Sequence, residues 1–544
     1  MRTRLTGGTV YDPAAGNCGE VRDIDIVDGR IAAVAGTPDE VVDVADSVVM
    51  AGALDIHTHI GGGKVNIARM MLPEVQSSKD KMAVVTTGEA GLRYIEMGYT
   101  ACFEPAMMAA NARQVHMEFA DTPYVDKGAY VMLGSDDMLL SMMRDGADFA
   151  QIKDYVAWTV HSAAALAVKV VNPGGINAFK FNQRKLDLDE QNVHYGVTPR
   201  DIITTLAQAV NEIGITHPLH IHGCNLGVPG NIDTTLDTIR ALEGRPAHLT
   251  HIQFHIYGTE GDFKFSSGAA QLAELVNANP NITVDVGQIM FGQTVTESGD
   301  SMHQHAGRVH AHPNKYLCMD IECEAGCGVV PFKYRDKNFV NALQWAIGLE
   351  VFLMVDDPWR VFLTTDHPNG APFDSYPHLI RLLCDKSFRD DMFKRIHPEA
   401  QKMSVLPSLT REYTLEEIAI MTRAAPARSL GLSDMGHLKR GARGDVVVYR
   451  PHKNLERMFS KPQYVFRNGQ IVVRDGRLIG TGEAPPVGAT HAAVVEYDPA
   501  IERRLKRWFD RYYTMRADSL AIAEDEITGF GRGELVRHKG SGRV

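Results

Sequence analysis

Between residues 51 and 424 short apolar runs alternate with helical stretches, and nothing else in the chain constrains its fold as much. The candidate strands are Gly52–Ile56, Thr100–Phe103, Ala129–Leu133, Ala178–Phe181, Leu219–His222, Ala247–His251, Ile282–Val286 and Phe362–Thr365. Helical stretches such as Thr198–Ile213 and Asp233–Leu242 lie between most of them. Alternating β and α over this length favours a parallel sheet, and eight strands predict an α/β fold closed as a (β/α)8 TIM barrel.

The ends of the chain read differently. Asp23–Val27, the turn Asp28-Gly29 and Arg30–Val34 form a hairpin pattern, and Tyr464–Val473 repeats it around Asn468-Gly469. A half-sheet left at each terminus would expose an unpaired edge and an apolar face, so the halves are expected to meet. The predicted organisation is a small composite β-sandwich from 1–50 and 425–495, the barrel over 51–424, and a C-terminal helix with a mobile tail over 496–544. The helix is placed at Ile501–Phe509 and the mobile segment at Gly531–Val544.

Composition then removes whole classes of function. Lys+Arg 56 against Asp+Glu 67 gives a net charge of −11, which offers no broad basic footprint for nucleic acid. No run reaches the ~18 apolar residues a membrane helix needs. Met1–Pro13 reads as strand and turn, not as a signal peptide, and the expected location is cytoplasmic. Seven scattered cysteines make no disulfide framework. There is no G-x-x-x-x-G-K-[ST] loop for nucleotide hydrolysis.

The chemistry sits at the strand ends. His57-Thr58-His59 follows the first strand, and residues i and i+2 of a strand point the same way, so the two imidazoles converge. Lys180 lies inside the apolar run Ala178–Phe181, where burial lowers an ammonium pKa and leaves an amine able to add CO2. Next come His220-Ile221-His222, then His251 and His255 in one segment, and Asp366 after the last strand. The C-terminal mouth of a barrel is where active sites are built.

The order H-x-H, Lys, His, His, Asp along successive β/α units resembles the amidohydrolase superfamily with a binuclear zinc centre. That resemblance implies metal ligands His57, His59, Lys180, His222, His251 and Asp366, with Lys180 as N6-carboxylysine bridging two Zn2+ ions. His220 remains open as an alternative to His222, and His255 as an alternative to His251. Longer segments narrow the likeness: Pro218–Gly227, Thr250–Gly258, Gly326–Phe332, Thr364–Gly370 and His57–Gly63 resemble the A subunit of formylmethanofuran dehydrogenase. That family includes archaeal dehydrogenases and the bacterial formyltransferase/hydrolase complexes. The resemblance implies zinc-dependent hydrolysis of N-formylmethanofuran, or a methanofuran analogue, to formate and the free amine. It makes Asp366 the catalytic proton carrier, sets His255, Asn225, His367 and Asn369 beside the metals or the substrate, and implies B, C and formyltransferase D subunits as partners.

Two other readings use the same residues. A cyclic-amide hydrolase of the dihydroorotase or hydantoinase kind shares the ligand set, and a metal-free scaffold protein would need none of it. His303, His305, His310 and His312 read as a polar surface loop, and Cys318, Cys323 and Cys327 as reduced cysteines lacking a fourth thiolate. Met107, Met108, Met138, Met142 and Met143 read as core or interface filler.

Overall fold

The computed structural model describes residues 1–63, 65, 85–175, 186–298, 328–480 and 485–540. The two chain ends meet in it. Strands β1 (Arg2–Asp12), β2 (Asn17–Val27), β3 (Arg30–Ala32), β4 (Glu40–Asp43) and β5 (Val48–Ala51) share one nine-stranded sheet with Val446–Tyr449, Tyr464–Arg467, Gln470–Arg474 and Arg477–Leu478. The seam is the antiparallel pairing of β5 with Val446–Tyr449, Val49 opposite Val448. Both hairpins turn where expected. Asp28-Gly29 and Asn468-Gly469 each have two positive φ angles, the backbone that Asx-Gly turns supply with least strain. The expected sandwich is one continuous sheet, whose core gathers Leu5, Ile24, Ile26, Val49, Val446 and Phe466.

The barrel strands are β6 (Ala53–Asp55), β7 (Tyr99–Met107), β8 (Asp126–Leu133), β9 (Ala167–Val171), β10 (Leu219–His222) and β11 (Ala247–Leu249), followed by Ile282–Asp285 and Val361–Phe362. Each is parallel to the next. A bridge between Thr58 and His367 joins first to last, with the His59 amide donating to the His367 carbonyl at 2.8 Å. The intervening helices are conventionally built. Pro199–Ile213 starts with a capping box between Thr198 and Asp201 and stops at Gly214 in the left-handed conformation.

Three boundaries differ from expectation. The fourth barrel strand is Ala167–Val171, paired with β8 and β10; the predicted segment Ala178–Phe181 lies outside the described residues. Thr490–Val494, assigned by sequence to the β-domain, pairs instead with β8 of the barrel. Its partner is Leu535–Lys539, so the tail expected to be mobile contributes a strand, because an exposed edge at Thr490–Val494 is there to be covered. The predicted C-terminal helix is present as Ala500–Tyr512 and buries Ile501, Leu505 and Phe509 on one face, at i, i+4 and i+8.

A buried ion network ties these parts together. Asp126 on β8 accepts from Arg467 of the β-domain, from Arg443, from His491 at 3.0 Å and from the Ala489 amide at 2.8 Å. Burial alone would raise its pKa, but Arg467, Arg443 and His491 outweigh that and hold it well below the usual carboxylate range.

Candidate metal centre

Every side chain of the centre leaves a strand end on one face of the barrel. His57 and His59 follow β6, His222 ends β10, His251 and His255 follow β11, and Asp366 follows the eighth strand. All are buried. Asp366 Oδ1 lies 2.9 Å from Nε2 of His57 and 3.2 Å from Nε2 of His59. The His222 and His251 rings meet edge to face with centroids 4.5 Å apart, and His255 stacks on His251 at 5.2 Å.

Three groups among the described residues have donor atoms within 4.8 Å of one another: His57, His251 and Asp366; His222, His251 and His255; and, deeper, His57, His220 and Asp285. His251 belongs to the first two. Its buried Nδ1 has no hydrogen-bond partner among the described residues. Nitrogen and oxygen donors so placed suit a zinc-like divalent ion. Burial also lowers the pKa of His251 far below its usual value and that of His255 to about 4, leaving both rings neutral with a lone pair to give. Burial opposes ionisation of Asp366, but His57 and the hydrogen bonds from His57 and His59 outweigh it and keep it a carboxylate.

The backbone is bent to the purpose. Asp366 and His251 both sit at positive φ, 49° and 34°, sparsely populated conformations for residues with a Cβ. His220 is separated from His222 by this geometry. It lies one layer deeper, its Nε2 2.9 Å from Nδ1 of His57, and does not join the His222 group. Asn225 donates to Asp187 at the mouth, while His367 and Asn369 follow Asp366 and are buried. Lys180 lies outside the described residues, as do His303, His305, His310, His312, Cys318 and Cys323, together with Cys327.

Four residues that matter here escaped the sequence reading. Glu104 accepts from Nδ1 of His59 at 2.8 Å and from the amides of Ile60 and Gly61, fixing the H-x-H turn. Asp285 accepts from His248 and from the His251 amide. Asp55 receives the His57 amide and the hydroxyls of Tyr94 and Tyr376, and burial raises its pKa to about 7 despite them. Lys169, in the middle of β9, is 2% exposed and aligned with His220; its charge acts on His220, His248, His251 and His255 alike. The signal was present each time: a charged residue inside an otherwise apolar strand.

A (β/α)8 barrel that gathers imidazoles and a carboxylate at one mouth has the architecture of an amidohydrolase. A family model described as the amidohydrolase family matches residues 40–473. The chain is 41% identical over 537 residues to the A subunit of the formyltransferase/hydrolase complex Fhc of Methylorubrum extorquens, covering 96% of this chain and 97% of that protein. Protein FwdA of Methanocaldococcus jannaschii is 35% identical over 555 residues, again 96% and 97% of the two chains. The crystal structure of the FhcABCD complex of M. extorquens with methylofuran superposes at a TM-score of 0.91, with 40% identity and 99% and 100% coverage. The chain therefore belongs to the amidohydrolase family of formylmethanofuran dehydrogenase A subunits, in which the A subunit of the bacterial formyltransferase/hydrolase complex also falls. No helix among the described residues is long and apolar enough to cross a membrane.

Proposed function

We propose that the chain hydrolyses the formamide bond of N-formylmethanofuran, or of a methylofuran-like analogue, to formate and the free amine. It does so as the A subunit of a cytoplasmic assembly with B, C and formyltransferase D subunits. The observation carrying this reading is His251, shared by two donor groups at the mouth of a barrel that matches a hydrolase-complex component end to end.

Two zinc ions would suit the donors: in this reading His57, His59 and Asp366 would hold one, and His222 and His251 the other, with His255 in reach of the second. When bound, zinc supplies a hydroxide at neutral pH, the pKa of its water falling to ~7, and polarises the formyl oxygen. Asp366 would take the attacking water's proton and return it to the departing amine, the role of a general acid–base. Glu104 keeps His59 in one tautomer and orientation. Asn225, His367 and Asn369 would stand beside the metals or the substrate.

The bridging carbamate was expected at Lys180. It is proposed there still; Lys169 is a second lysine, buried and level with His220 in the register of β9 and β10.

The test is zinc analysis and formate release from N-formylmethanofuran by the assembly as isolated. The expected result is about two zinc per chain and stoichiometric formate. Zinc-loaded protein that leaves the formamide intact overturns the reading, and turnover of dihydroorotate in its place establishes the cyclic-amidase alternative.

A further inference from the structure

Beneath the proposed metal centre the barrel interior holds a line of imidazoles, where a small-residue or aliphatic layer would suffice for packing. Nδ1 of His57 meets Nε2 of His220 at 2.9 Å, Nδ1 of His220 meets Nε2 of His217 at 3.0 Å, and Nδ1 of His217 meets Ser429 Oγ at 3.0 Å. The three rings are at most 1% exposed, and Ser429 is buried on the helix Ala425–Leu430. Tyr130 packs on both His217 and His220, and His248 stacks on His220 with centroids 4.6 Å apart. The rings are held in place from the side, and their nitrogens meet end to end.

Each neutral imidazole carries one N–H, and a junction needs one hydrogen, neither two nor none. Setting one ring therefore sets the next. If Nε2 of His57 gives its lone pair to a metal, its hydrogen is on Nδ1 and points at His220. His220 must then accept at Nε2 and donate from Nδ1, and His217 must do the same toward Ser429. Thr250 Oγ1 also meets Nδ1 of His57, and Asp285 Oδ2 lies 3.6 Å from it.

We propose that His220 and His217 are positioning residues, which with Ser429 lock the ring orientation and tautomer of His57 and so set the affinity of the metal position that His57 serves. The inference rests on the metal-centre reading above. Partners of metal-bound histidines typically change metal affinity by ~10–100-fold when removed.

The test is zinc affinity of the full-length protein in its isolated assembly, by competition with a chromophoric chelator. His220→Phe keeps an aromatic ring but breaks the chain, and is expected to weaken one zinc position by ~10–100-fold while sparing the other. His220→Gln, whose amide both accepts and donates, is expected to recover most of that loss. In the zinc-loaded native protein, histidine-selective nitrogen NMR is expected to show hydrogen on Nδ1 of both His220 and His217. A folded Phe variant with two unchanged affinities overturns the proposal, as does an Nε2–H tautomer on either ring. A native protein that takes up no zinc removes the metal-centre reading itself, and the inference with it.

Discussion

Gly287 shows how tightly single residues set this centre. Its φ is +66°, and a Cβ there would meet His251 Cβ at 2.4 Å and Asp366 Cβ at 3.4 Å. No real Cβ tolerates the first distance, so His251 owes its place to the missing methyl. Gly287→Ala is expected to shed metal from the shared position and to lose ~1–3 kcal/mol of stability, read by zinc analysis and thermal melting. Asp366→Asn keeps the shape and removes the proton carrier; kcat for formate release is expected to fall ~10²–10⁴-fold with partial zinc retention. Native turnover in that variant would move the proton transfer to another group. The two lysines separate just as cleanly. Lys180→Ala should lose bridged metal and activity, with partial rescue by added short-chain carboxylic acids, while Lys169→Ala should retain bridged metal. The reverse pattern would move the carbamate to Lys169.

At the scale of elements, the joint between β-domain and barrel rests on charge. Arg467 bonds Asp126, Asp445 and the Tyr124 carbonyl, so one guanidinium clamps a barrel strand to the second sheet. Breaking a buried pair leaves an uncompensated charge, and Arg467→Met is expected to cost about 3–5 kcal/mol, measured by denaturant unfolding. The pH dependence follows from Asp126, whose folded pKa is depressed. Its stabilisation is present above the unfolded pKa of ~4 and is lost as pH falls toward the folded value. The gap between native and variant should therefore narrow below pH ~4, and a gap constant from pH 7 to 3 would contradict the assignment.

For the whole molecule the question is assembly. Met107, Met138 and Met142 are core residues, whereas Met117, and Tyr512, Tyr513 and Met515 at and just beyond the end of the C-terminal helix, are exposed. An enzyme that shares a reactive formyl carrier with a transferase gains from being held beside it, through an interface above ~1,000 Å². Light scattering on native-source protein should give a mass well above the 59.9 kDa of one chain. A lone chain fully active on N-formylmethanofuran would show that partners are dispensable.

The sequence by itself determined the local chemistry. Asn-Gly and Asp-Gly turns, the Thr198 cap and the i, i+2 spacing of His57 and His59 act within a few residues, and each is where the pattern puts it. Seven of eight barrel strands were legible for the same reason. The fourth was not, because Ala167–Val171 and Ala178–Phe181 both read as apolar runs around a lysine, and only pairing with β8 and β10 identifies Ala167–Val171 as a strand. Which histidine faces which neighbour was likewise undecidable, since His220 and His222 share a side of one strand and differ only in depth. Depth, the reach of Glu104 to His59, and the return of Thr490–Val494 to the barrel are long-range facts. They arise when the chain closes on itself, and tertiary structure alone decided them.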